Sequence, residues 1–229
     1  MISVVIPALN EEDYIGNCLK SLIEQEYSKK YEIIVMDNGS EDRTREIAKK
    51  YCDRLFVEPD LELYELRNEG IRRAQGKIVA QTDADCIAPK NWLKEVERGL
   101  ENSVLATGPV GPIEDSNLYG VLLNLFNNFL RVSMNLFNFS HASAGNCAFY
   151  RDLAISIGGF KDSFPSDGKF GVEMRGLGKL YFNPDMKVKT SMRRYKNESF
   201  SKTLYELAIS HIKLRWGEEQ EFEKSFYWS

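Results

Sequence analysis

With 229 residues, 43% of them hydrophobic and 28% charged, the chain can bury a substantial core and has the composition of a globular protein. Its 30 basic and 34 acidic side chains leave a formal charge of -4, so there is no basic field to attract nucleic acid, and none is expected as a partner. Four scattered cysteines (Cys18, Cys52, Cys86, Cys147), no C-x-x-C and only two histidines suggest neither a zinc site nor a disulfide framework.

The opening MISVVIPALN lacks the basic segment and longer apolar core of a signal peptide and reads as a first strand, so a cytoplasmic protein with reduced thiols is expected. Short β-branched runs then alternate with helical patterns. ISVVIP precedes a helix over residues 11–26, YEIIVMD one over 43–51, RLFVE one over 61–75, and GKIVAQTD one over 91–100. This alternation predicts right-handed βαβ units and an α/β fold, with a mostly parallel central sheet and helices on both faces.

Such sheets bind ligands at the carboxyl ends of their strands. The loops there read PALNEED, DNGSEDRT and TDADCIAP. In the first, Asn10 is expected to cap the following helix, with Glu11, Glu12 and Asp13 in its positive first turn. In the second, Asn38-Gly39-Ser40 is a turn signal before another cap. Caps and turns do not account for Asp37, Asp83 and Asp85, three carboxylates at strand ends on one rim. Asp83 and Asp85 stand one residue apart where an apolar strand stops, so a cation or the hydroxyls of a ligand should meet them. Neither G-x-G-x-x-G nor G-x-x-x-x-G-K-[ST] is present, which leaves a phosphorylated ligand handled through carboxylates and a divalent metal such as Mg²⁺ or Mn²⁺.

Residues 118–139, LYGVLLNLFNNFLRVSMNLFNF, form an amphipathic helical pattern. At about 100° per residue, Asn124, Asn127, Asn128, Arg131, Asn135 and Asn138 share one stripe and leucine and phenylalanine fill the rest. Spanning a bilayer is disfavoured by the central arginine, which costs roughly 3 kcal/mol on insertion scales. Three readings stand: a helix in a membrane interface, a helix packed on the sheet, or a dimer seam. From Ser199 onward a second helical face carries Phe200, Leu204, Leu207, Ala208 and Ile212, with Gly217 as a stop, and Trp216, Phe226, Tyr227 and Trp228 follow.

The ordered series VVIPALNEE, VMDNGSEDRT, LRNEGIRRAQGKIVAQTDAD and SAGNCAFYRDLAISIGGF, over residues 2 to about 194, closely resembles the family 2 glycosyltransferases with the GT-A fold. The resemblance implies a Rossmann-like GT-A domain with an amphipathic helix and a C-terminal helix added. Residues 1–110 would form its nucleotide-sugar-binding half, 111–198 its acceptor-binding half and 199–229 a helical tail. It implies inverting transfer of a sugar from a nucleotide diphosphate, UDP- or GDP-sugar being expected, with Asp83-Ala84-Asp85 as the D-x-D motif. Asp83 would meet the ribose or the metal's water shell, and Asp85 the Mn²⁺ or Mg²⁺ that bridges the diphosphate. Pro7, Ala8 and Glu11 would line the donor pocket, Asp37 would bond the nucleobase, and Arg67 would lie near base and phosphates.

An acceptor hydroxyl needs a base. The family places it as the aspartate of an E-D pair ahead of a helix, which here falls on Ser166-Asp167 and makes Asp167 the candidate; the bland reading of PSDGKFG is a turn and a helix cap. Thr190 stands where the family often has a metal-binding histidine, so weak metal binding without donor is expected. The basic cluster Lys187, Lys189, Arg193, Arg194 and Lys196 could offset the leaving diphosphate or grip an acceptor phosphate, or be a solvated strand edge. Gly145 and Asn146 belong to the acceptor-side loop, and His141 reads as structural. A membrane-contacting 118–139 helix just before that loop would suit a lipid-linked acceptor and a site at the inner face of the cell membrane. The processive signature Q-x-x-R-W is broken by Ile212 before Arg215-Trp216, which favours single addition. The rivals are a nucleotide-sugar-binding module without catalysis, and a nucleotidyltransferase, for which PALNEED is too acidic.

Overall fold

The computed structural model describes residues 1–113, 117–137, 139–162 and 166–193. The expected alternation is present. Strands β1 (Ile2–Ala8), β2 (Tyr31–Asp37), β3 (Arg54–Val57) and β4 (Ile78–Thr82) are separated by helices α1 (Ile15–Ile23), α2 (Thr44–Ala48) and α3 (Leu63–Arg73). There follow β5 (Cys86–Ile87), α4 (Trp92–Gly99), β6 (Leu105–Thr107), β7 (Val110–Pro112), α5 (Asn117–Phe137), β8 (Asn146–Tyr150), α6 (Arg151–Ser156), α7 (Ser166–Leu177), β9 (Leu180–Phe182) and β10 (Val188–Thr190).

A seven-stranded sheet has the order β3-β2-β1-β4-β8-β6-β9, and a three-stranded sheet the order β5-β10-β7. Pairing is parallel except where β8 runs against both β4 and β6, and where β10 runs against β5. The strands are nearly continuous apolar runs because both faces are covered. Val4, Ile6, Ile33 and Val35 pack toward α1 and α4, whereas Val5, Ile34 and Met36 pack toward α3 and α7. The chain steps from β1 through β2 to β3, then returns to place β4 on the other side of β1. A crevice therefore opens at the carboxyl ends of β1 and β4, where a doubly wound sheet takes its ligand.

The helices bordering the crevice start later than their sequence patterns indicate. Asn10 caps no helix; it is left-handed (φ 52°), and α1 begins at Ile15 without a side-chain cap. The backbone amides of residues 10–12 are donors to side chains of the β2–α2 loop instead, which removes them from the helix.

The asparagine stripe of α5 also divides in an unexpected way. Asn127 accepts from the amide of Val110 and donates to its carbonyl, and Asn135 does the same for Phe182. Each amide side chain completes a ladder rung that β7 or β9 leaves open at its edge, so these residues face inward. Asn124, Asn128 and Arg131 remain exposed. Asn138, Arg194, Lys196 and the tail from Ser199 lie outside the described residues. No described helix is long and apolar enough to cross a membrane. Replacing Asn135 by leucine leaves the Phe182 amide and carbonyl unpaired and should lower stability by about 1–3 kcal/mol in denaturant unfolding. Asn124→Ala, at the exposed edge, should stay within about 0.5 kcal/mol of the parent.

Candidate functional site

The turn after β4 carries the paired aspartates. The Asp83 carbonyl accepts from the Cys86 amide (3.0 Å) and the Cys18 thiol (3.5 Å). The Asp85 carbonyl accepts from the Ser191 amide (3.3 Å), where β10 pairs with β5. The turn is thus clamped from below by α1 and from the side by β10, and its two carboxyls take separate partners. Asp83 Oδ1 accepts from Arg67 (2.7 Å), a residue of α3 whose guanidinium also lies over the Phe160 ring. Asp85 Oδ1 accepts from the Thr190 hydroxyl (3.3 Å), so threonine at this position reaches the aspartate as a hydrogen-bond donor.

A third carboxylate joins them. Burial, with Asp85 and Asp83 nearby, raises the Glu11 pKa above its ordinary value, while Arg193 works in the opposite direction. Arg193 Nη2 donates to Glu11 Oε1, its Nε stands 3.8 Å from Asp85, and its guanidinium lies over the Tyr14 ring. Glu11, Asp83 and Asp85 are held together by two arginines, one on each side. The other Glu11 oxygen is buried and unpartnered.

Pro7 and Ala8 are buried at the end of β1, with Ala8 in register with Asp37 at the end of β2. Asp37 is fully buried. Its Oδ1 accepts from the amides of Gly39 (φ 81°) and Ser40, and Arg45 comes within 3.8 Å. Its Oδ2 is buried and lacks a partner. The β1 and β2 loops are laced together. The amides of Asn10, Glu11 and Glu12 donate to Ser40, Thr44 and Asp42, and those of Glu41 and Arg43 donate back to Asn10 and Glu12.

The opposite wall is the loop before β8. A Cβ at Gly145 would stand 2.6 Å from Asp83 Oδ2, so glycine lets the loop lie against the aspartate. Asp167, in the first turn of α7, reaches the same loop, with Oδ2 3.5 Å from the Ala144 amide. Burial pushes the Cys147 thiol up, with a smaller opposing effect of Arg67. Ser166 donates to the Lys161 carbonyl and anchors the start of α7. Asn146 is fully buried. Its amide donates to the carbonyls of Pro109 (3.0 Å) and Met186 (2.7 Å), and its oxygen accepts from Trp92 Nε1 (3.0 Å). It supports the loop from behind. His141 is buried edge-on to Phe126. Lys187 and Lys189 are exposed.

Among the described residues no three histidine, cysteine or acidic side chains gather as a protein-only metal site. The available donors are carboxylate oxygens in one crevice, a set that fits a hard divalent cation completed by ligand oxygens and water.

The family model described as Glycosyl transferase family 2 matches residues 3–158. The chain belongs to that family. Glycosyltransferase AglE of Haloferax volcanii is 39% identical over 114 residues, covering 47% of this chain and 36% of the relative. A Methanococcus voltae protein is 34% identical over 102 residues, 41% of this chain and 32% of that one. It is named dolichyl N-acetyl-alpha-D-glucosaminyl phosphate 3-beta-D-2,3-diacetamido-2,3-dideoxy-beta-D-glucuronosyltransferase. The matches thus span about a third of these relatives. Among solved structures, the mannosyltransferase PcManGT from Pyrobaculum calidifontis, in complex with GDP-Man and Mn²⁺, superposes with a TM-score of 0.74 at 20% identity, covering 97% of this chain and 66% of that one. Staphylococcus aureus TarS 1-349 with UDP-GlcNAc gives 0.66 at 19% identity, covering 84% and 58%. The fold of this family 2 chain is that of GT-A glycosyltransferases.

Several site residues escaped the motif reading. Tyr14 and Thr44 fall within predicted helices and Ser40 within a turn signal, yet Tyr14 carries the Arg193 guanidinium on its ring and the Ser40 and Thr44 hydroxyls accept from the Asn10 and Glu11 amides. Gln81 is fully buried with both amide atoms unpartnered, and strand alternation puts it on the Asp83 face. Its only signal was a glutamine inside an apolar strand. Truncating Asn146 to alanine strands Trp92 Nε1 and two carbonyls in the interior, and should lower the unfolding free energy by about 2–4 kcal/mol in a denaturant melt.

Proposed function

We propose that this family 2 chain carries the catalytic unit of an inverting glycosyltransferase that moves a single sugar from a nucleotide diphosphate sugar to a hydroxyl on a glycan or lipid-linked acceptor. The observation that carries the reading is the convergence of Asp83, Asp85, Arg67, Arg193 and the unpartnered Asp37 oxygen on one sheet rim, facing Asp167 across the Gly145 loop.

In this reading Asp37 accepts from the nucleobase between Pro7-Ala8 and the β2 loop, and Asp83 accepts from the ribose. Asp85 and Glu11 would hold a divalent cation, Mn²⁺ or Mg²⁺, whose positive charge would stabilise the departing diphosphate. Arg193, which pairs with Glu11 and lies beside Asp85, would offer its guanidinium to diphosphate oxygens, while Arg67 steadies Asp83. The acceptor oxygen attacks the anomeric carbon from the face opposite the diphosphate. Its proton passes to Asp167, the new glycosidic bond forms, and the bond to the diphosphate breaks with its electron pair leaving on phosphate oxygen. The complexes of PcManGT with GDP-Man and Mn²⁺ and of TarS with UDP-GlcNAc support a nucleotide-sugar donor and a metal. The name of the Methanococcus voltae relative, which includes a dolichyl-linked sugar phosphate, supports a lipid-linked acceptor.

Thermal shifts against UDP-, GDP- and dTDP-sugars, with and without Mn²⁺, test the donor site. One nucleotide sugar at a hundred times its dissociation constant should stabilise the fold by about 2.7 kcal/mol, and Asp85→Ala should remove the shift. If no nucleotide stabilises the protein, the donor assignment fails. Asp167→Asn should keep that shift and lower turnover on a hydroxyl acceptor by roughly 10²–10⁴-fold; near-normal turnover would remove Asp167 as the base. Donor binding with no turnover on any acceptor would favour the rival binding module.

A further inference from the structure

With Asn127 and Asn135 turned inward beside Leu123, Leu130 and Met134, α5 presents a set of large apolar residues to solvent. Val121, Leu125, Phe129, Val132 and Leu136 are 57%, 63%, 57%, 41% and 74% exposed. Spaced by three and four residues, they form one stripe on the side of the helix opposite the buried face, about 22 Å long at 1.5 Å per residue. A run of this length and chemistry is what a soluble surface ordinarily avoids.

We infer that this face of α5 docks on a lipid surface and holds the protein where a lipid-linked acceptor lies. Three observations choose lipid over a protein partner. The helix bears no carboxylate, and its single charge, Arg131, is exposed at the margin of the polar side, so nothing on it repels an anionic headgroup. Strand β7, which α5 packs against through Asn127, pairs with β10, and Lys189 of β10 and Lys187 just before it are exposed, so the small sheet that carries α5 also offers positive charge to an anionic surface. The chain leaves α5 directly into the loop of residues 141–146 that forms the acceptor wall of the site, so a helix seated on lipid delivers that wall to the membrane plane. The stripe needs no helix to cross the bilayer, in keeping with the absence of a crossing helix among the described residues.

The inference rests on the lipid-linked acceptor reading, and its test involves no transfer reaction, so the two can fail separately. The full chain is mixed with vesicles of phosphatidylcholine alone and of phosphatidylcholine with phosphatidylglycerol, and the bound fraction is measured by co-sedimentation. Binding is expected to both, stronger with phosphatidylglycerol, and the double variant Leu125→Asp, Phe129→Asp should weaken it at least about tenfold. Because both positions are exposed, the melting temperature and any donor-induced shift should be unchanged; Leu136→Ser, a milder change, should give a smaller loss in the same direction. Lys187→Glu with Lys189→Glu should weaken only the phosphatidylglycerol increment. Absence of vesicle binding, or binding that the stripe variants leave unaltered, would overturn the inference. So would a concentration-dependent doubling of mass in sedimentation that the double variant abolishes, since a second copy would then cover the stripe.

Discussion

Glu11, Asp83 and Asp85 on one rim set the problem that the surrounding structure solves. Burial raises the cost of ionising Glu11, and the charges of Asp85 and Asp83 add to it. Arg67 rises from α3 on one side and Arg193 arrives after β10 on the other, so that each aspartate of the pair has its own guanidinium. The arrangement is balanced without being satisfied. A Glu11 oxygen, an Asp37 oxygen and the Arg67 Nε are all buried without partners, so the crevice is built around charge and hydrogen bonds that a ligand can complete.

Holding such a rim in place requires rigid loops where loops are ordinarily mobile. The five backbone-to-side-chain bonds between the β1 and β2 loops make one platform of two connections. On the far side, Asn146 ties β8 to Trp92 of α4 and to the carbonyls of Pro109 and Met186. Gly145, with no Cβ, can then approach Asp83 closely. The polar side chains of this framework fix the backbone from which the rim residues project, and the Ser40 amide also donates to Asp37.

Helix α5 shows how two edges of β-structure can be closed by a helix. Asn127 and Asn135 present amides that imitate a neighbouring strand, one to β7 and one to β9. An asparagine used in this way must face inward, and on a helix that also carries many leucines and phenylalanines the consequence is an apolar outer face.

The α/β class, the parallel β1–β4 core and the carboxylates at the strand ends were all legible in the sequence. Apolar runs of strand length, helical periodicity and strand-end position are local properties, and the motif series made the family recognisable. Asp83 and Asp85 stood out because two carboxylates ending an apolar strand conflict with their surroundings. What the sequence left open depended on partners distant in the chain. Asn10 reads as a cap by type and position, yet residues 30 positions away capture its loop. The asparagines read by periodicity as one stripe of a helix whose surroundings stay open, and the open strand edges at Val110 and Phe182 draw two of them inward. Arg193 reads as one of a run of basic residues, and only the pairing of β10 with β5 brings it to Glu11 and Asp85. Periodicity and residue type determine which groups a segment offers; tertiary structure decides which are used, because an unpaired backbone edge or a buried charge takes its partner from whatever element the fold brings within reach.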